Sequence, residues 1–189
     1  MAQETSEEKR EVSEEERQEI LDRVERRAAK LKYKHGGCGQ TPLLALQEEF
    51  NFPGGDAVFK SLTFTGYGLA AKLDVCAALL AGFAAIGLAA GRESLEEPIY
   101  PDPERVDETL GIPKTLVRIR EFYQKFVDEY GGCSSCRDIQ EELFDRVYNL
   151  ADPKEKQVFI ELYAPDCAEV VGKAARLAAE TILDIPHRW

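Results

Sequence analysis

Five cysteines, Cys38, Cys76, Cys133, Cys136 and Cys167, are the residues whose type and spacing could do chemistry in this chain. In a reducing compartment thiols bind metal or do redox work more often than they form a disulfide framework. Cys133-Ser134-Ser135-Cys136 is a CxxC, a spacing shared by zinc sites, redox dithiols and iron–sulfur ligands. It lacks the βαβ surroundings of a thioredoxin, and the other cysteines are isolated where a zinc ribbon would want a second close pair. The remaining pattern is positional. Cys38 precedes Thr41-Pro42, Cys76 follows Asp74, Cys136 follows Ser134-Ser135, and Cys167 follows Pro165-Asp166, so each is expected at or beside a helix N-terminus. Free N–H groups and the positive dipole end lower a thiol's pKa there and equally favour an anionic metal–sulfur cluster.

The elements that must position these thiols read as helices throughout. Ile20, Leu21, Val24, Ala28 and Leu31 recur at helical spacing and predict a helix from Ser13 to Leu31, with Ser13 and Glu16 as a capping box. A Gly-rich turn holds Cys38, and Thr41-Pro42 opens a helix to Phe50. A short helix follows over 56–63, and Gly66-Tyr67-Gly68 breaks the chain before Asp74 caps a long Ala/Gly-rich helix expected to be central and buried. From Lys114, a stripe of Leu116, Ile119, Tyr123, Phe126, Val127 and Tyr130 predicts another helix. Ser134 or Ser135 caps one carrying Cys136, Ile139, Leu143 and Val147, Asp152-Pro153 opens a short polar one to Leu162, and Pro165-Asp166 starts the last. No segment alternates with period two, and the expectation is an all-α, single-domain orthogonal helical bundle. Cys76, Cys136 and Cys167 each head an apolar helical face, so their thiols should point inward and converge if those helix starts gather at one end of the bundle.

Composition narrows the partners. The 189 residues carry a formal net charge of -11, which argues against binding nucleic acid or an anionic membrane surface. The start, MAQETSEEKREVSEEERQ, has neither an apolar core nor a twin-arginine pair, so the cytoplasm is the expected compartment. Residues 1–12 read as a charged flexible lead and 13–189 as one cysteine-containing domain. The apolar run Val75 to Gly91 falls short of a membrane span.

CGQTPLLALQEEF, GYG followed by DVCAALLAGFAAIGLAAGR, CRDI, and DCAEVVGKAARLAAETIL resemble the C-GCAxxG-C-C family of redox-active proteins over about residues 30 to 184. Cys38, Cys76, Cys136 and Cys167 match the four family cysteines in order, and Cys133 is then the extra one. The chain departs from the pattern at Val75-Cys76-Ala77, where the family name has Gly-Cys-Ala. The resemblance implies redox activity and a relationship to the non-haem domain of split-Soret cytochrome c, which carries an iron–sulfur centre. No CxxCH is present, so covalent c-type haem is not expected.

The leading expectation is a small electron-transfer protein whose Cys38, Cys76, Cys136 and Cys167 hold a [2Fe–2S] or [4Fe–4S] cluster, with Cys133 as spare or substitute ligand and a redox protein as partner. The competing readings are thiol–disulfide exchange by Cys133 and Cys136, and a zinc-binding or metal-free interaction module; whether two copies pair is left open. No catalytic residue is assigned. His35 near Cys38, Tyr67 between its glycines, and Lys32, Lys34 and Arg92 as counter-charges are secondary candidates, whereas His187 reads as surface and Trp189 as a terminal contact.

Overall fold

The computed structural model describes residues 12–52, 55–92, 94, 107 and 112–185. The expected lead apart from Val12, most of the Arg92–Pro113 connection, His187 and Trp189 lie outside these described residues. Within them the chain is all-α, with helices α1 (Glu14–His35), α2 (Gln40–Phe50), α3 (Gly55–Ser61), α4 (Ala77–Ala90), α5 (Lys114–Glu129), α6 (Cys136–Phe144) and α7 (Pro153–Leu183). A 3-10 turn covers Leu62–Thr65. No helix among the described residues is long and apolar enough to cross a membrane.

The α1 boundary follows its cap: the Ser13 hydroxyl accepts from the Glu16 amide at 3.2 Å, and Leu21, Val24, Ala28 and Leu31 are buried as their spacing predicts. The helix runs on to His35, which brings Lys32 into its buried face. In α2 the cap differs from expectation. Gly39 is the N-cap, and Thr41 instead lies in the first turn, its hydroxyl donating to the Gly37 carbonyl at 2.9 Å. Likewise Cys76 itself, not Asp74, is the N-cap of α4, while the Asp74 carboxylate accepts from the adjacent Val75 amide.

Helix α4 is buried along most of its length, as its composition requires, and Gly82 lets α5 approach: a Cβ there would overlap the ring of Phe122. That contact sets the rotation of α5. Its core residues are Phe122, Phe126 and Val127, whereas Leu116 and Tyr123, expected in the buried stripe, are 45% and 39% exposed.

The two helices expected on either side of Pro165 are one continuous helix, α7. Proline in a helix interior costs about 3 kcal/mol because it removes a hydrogen bond and crowds the preceding turn. Burial beyond it outweighs that cost: Ala168, Val170, Val171, Ala174, Ala175, Ala178, Ala179 and Ile182 all pack inward. Helix α7 lies against α1, α2, α4 and α5. The main core gathers residues of these helices, and a second, smaller apolar cluster forms around Leu73, Tyr148, Leu150 and Phe159. The cysteines sit at the seam between the two.

Candidate functional site

Each thiol arrives by a different route. Cys38 lies in the reversal between α1 and α2, where Gly36 and Gly37 both take φ of 73°, a conformation that suits residues without a Cβ. Cys76 and Cys136 are delivered together. The chain entering α4 and the chain entering α6 form an isolated antiparallel bridge between Val75 and Ser135. The Cys76 amide donates to the Ser134 carbonyl at 2.8 Å, and the Cys136 amide donates to the Asp74 carbonyl at 2.7 Å. Ser135 then caps α6 by accepting from the Asp138 amide at 3.0 Å. Cys167 comes from the interior of α7, two residues past Pro165, and so is not at a helix N-terminus as the sequence led one to expect.

The four converge. Cys38, Cys76, Cys136 and Cys167 line one cavity of about 40 Å³, together with Lys32, Tyr67 and Gln140 and an apolar wall that includes Ile139, Leu143, Phe144, Phe159 and Val170. Room of that size takes only a few atoms beyond the thiols themselves. Cys133 does not line it; half-buried, it packs against the main core, and burial together with Asp138, Glu142 and Glu141 raises its pKa. The CxxC therefore contributes one thiol to the cavity and leaves the other outside. Among the described residues, no three His, Cys, Asp or Glu side chains are grouped closely enough to hold one metal ion.

The electrostatics divide the thiols. A hydrogen bond from the Cys167 thiol lowers the Cys38 pKa to about 6 against the opposing effect of burial, with further help from Lys32 and the Tyr67 amide. Cys167, which supplies that hydrogen, is held well above its ordinary value by the same contact and by burial. Burial and the neighbouring Cys136 push Cys76 up to about 12, against the Ala78 and Leu79 amides that face it. Cys136 is raised to about 11 by burial, offset by Gln140, whose amide donates to its sulfur at 3.5 Å. Cys38 is thus the thiol of the four that favours the thiolate at neutral pH.

Of the three cations considered as counter-charges, the structure brings only Lys32 to the cavity. Burial alone would lower its pKa, but facing Cys38, Cys167, Tyr67 and Cys136 raises it overall, so the ammonium stays charged inside the protein. Tyr67 also reaches the cavity, held there by an unusual turn in which Tyr67, Leu69, Ala70, Ala71 and Leu73 all have positive φ. Such backbone costs about 1–3 kcal/mol per residue and persists only where the surroundings impose it. His35 is exposed and lines no part of the cavity.

Sequence reading missed Gln140. It is 2% exposed, and besides its contact with Cys136 its side-chain carbonyl accepts from the Tyr148 amide at 2.9 Å. The signal available was its position one helical turn after Cys136.

A family model described as "Putative redox-active protein (C_GCAxxG_C_C)" matches residues 37–181, a span that contains all five cysteines. No curated protein and no solved structure matches the chain.

Proposed function

This chain belongs to the C_GCAxxG_C_C family of redox-active proteins, and on that premise we propose that it is an electron-transfer protein whose Cys38, Cys76, Cys136 and Cys167 ligate an iron–sulfur cluster. The observation that carries the reading is the convergence of four thiols from four separate segments on one apolar cavity that also holds a buried lysine. The donor chemistry fits: four cysteines are the ligand set of both [2Fe–2S] and [4Fe–4S] centres. A cluster spreads its ligands over several irons, and of the two cores the four-atom [2Fe–2S] asks less of a cavity this small.

When bound, the cluster supplies one-electron transfer. The protein's part is to exclude water, to orient the thiols through the paired entries of α4 and α6, and to balance charge. Leu143 walls the cavity and is itself 43% exposed, so a redox partner docking there would stand one side chain away from the centre. The test is anaerobic reconstitution with iron and sulfide of the wild type and five single Cys→Ser variants. Variants at 38, 76, 136 and 167 should lose the visible absorption and most of the iron, whereas Cys133→Ser should keep both. Equal iron in all five would overturn the assignment.

One observation favours a second reading. Cys38 and Cys167 share the cavity and shift each other's pKa in opposite directions, whereas Cys133 lies outside it, so a thiol–disulfide activity would use these two and not Cys133 with Cys136. The Cys38 thiolate would displace one thiolate from an external disulfide, and Cys167 would then displace the second, transferring two electrons from the pair. Peptide mapping after treatment with a small disulfide reagent would show a Cys38–Cys167 link and a mass lower by two hydrogens; a reagent adduct left on Cys38 would count against it.

A further inference from the structure

The outer face of α1 treats its cations conventionally: Arg23 pairs with Glu49 at 2.6 Å and Arg27 with Glu48 at 2.7 Å, both at the surface. Lys32, on the inner face of the same helix, is 7% exposed and lines the cavity beside all four thiols. None of the ion pairs among the described residues includes it. The groups that act on it are Cys38, Cys136 and Cys167 from three other segments, and the Tyr67 phenol. A buried charge with no carboxylate is costly unless something anionic shares its site. The four thiols that line the cavity with Lys32 are the groups placed to supply that anion, and with a cluster bound, the cluster and its thiolates would.

We propose that Lys32 is the charge-selecting residue of this centre, fitting the cavity for an occupant of net negative charge and biasing the bound cluster toward its reduced, more negative state. This deepens the cluster reading and rests on it for the identity of the occupant, but the charge preference belongs to the protein and can be tested without iron. In the cluster-free protein, alkylation of Cys38 by anionic iodoacetate is compared with alkylation by neutral iodoacetamide, in wild type, Lys32→Met and Lys32→Arg. The iodoacetate-to-iodoacetamide rate ratio should fall about tenfold in Lys32→Met, the size of one ordinary charge interaction, and recover in Lys32→Arg. Dividing one rate by the other cancels any general change in Cys38 reactivity or access. An unchanged ratio in a folded Lys32→Met protein would overturn the proposal.

A second measurement uses the reconstituted protein. Lys32→Met should retain less iron than wild type and show a lower midpoint potential, with Lys32→Arg restoring both, while the thermal midpoint of the cluster-free variant should not fall. A Lys32→Met cluster with wild-type potential and retention would contradict the selection. Failure of the wild type to take up any cluster would contradict the cluster reading instead, leaving the alkylation ratio to decide the role of Lys32.

Discussion

Cys76 and Cys136 are tied to one another by backbone: each amide donates to a carbonyl on the other's loop, at 2.8 and 2.7 Å, around the Val75–Ser135 bridge. Two of the four thiols are therefore held in relative position before any ligand is considered, as a preorganised site requires. The neighbouring Gly68, at φ 69°, closes the assembly, since a Cβ on it would come within 2.8 Å of both the Cys136 Cβ and the Asp74 carbonyl oxygen.

Gly68→Ala should consequently damage the centre without removing a ligand. The expected cost is about 1–3 kcal/mol of stability from strain and displacement, read by denaturant unfolding, together with reduced iron retention on reconstitution. A variant with wild-type stability and full iron would show that the bridge is not what positions Cys136.

In cluster-free protein the thiols should titrate far apart. With its pKa depressed from 9.0 to about 6, Cys38 is ionised at neutral pH, and its alkylation rate should be half-maximal near pH 6, read by mass spectrometry of modified peptides. The corresponding stability is present above the ordinary thiol value and is lost as pH falls through about 6. For Cys76, raised to about 12, the sign reverses: the favoured form is the neutral thiol, and stability is lost as pH rises from 9.0 toward that value. Cys76 modified as readily as Cys38 at pH 7 would contradict the assignment.

Gln140→Leu removes the donor to Cys136 and leaves the buried Tyr148 amide without its acceptor. A loss of about 1–3 kcal/mol is expected from the unsatisfied group, accompanied by slower alkylation of Cys136 because the contact that lowers its pKa is gone. Unaltered stability and reactivity would show that Gln140 is not part of the site's support.

Phe122 and Gly82 should be coupled. Phe122→Ala empties a fully buried ring position and should cost about 3–5 kcal/mol. Gly82→Ala should destabilise the wild type by forcing a methyl into that ring, and should be much less harmful in the Phe122→Ala background, where the space is open. Additive unfolding energies in the double-mutant cycle would contradict the α4–α5 contact.

Much of this arrangement was legible in the residues themselves. The all-α class followed from helical periodicity and the lack of alternation, the burial of α4 from its Ala/Gly composition, and the inward aim of Cys76 and Cys136 from the apolar positions that follow each of them. What was not legible depended on partners distant in the chain. Pro165 reads locally as a helix start, yet packing of the following apolar stripe carries α7 through it, which places Cys167 inside a helix. The choice of Phe122 over Tyr123 for the core is made by Gly82 on another helix. Lys32 could not be told from Lys34 as a counter-charge until the path of α1 past Leu31 put one inside and the other at the surface. The left-handed turn from Tyr67 to Leu73 has no local signature beyond Gly66 and Gly68, because none of the five non-glycine residues that take positive φ in it favours that conformation.

The central claim is that these four thiols hold an iron–sulfur cluster, and it is tested most directly by the visible absorption spectrum of anaerobically purified protein, followed by iron and acid-labile sulfide on the same sample. A brown protein containing iron and sulfide in comparable amounts is the predicted result. A colourless protein, prepared without oxygen and free of iron and sulfide, would contradict it.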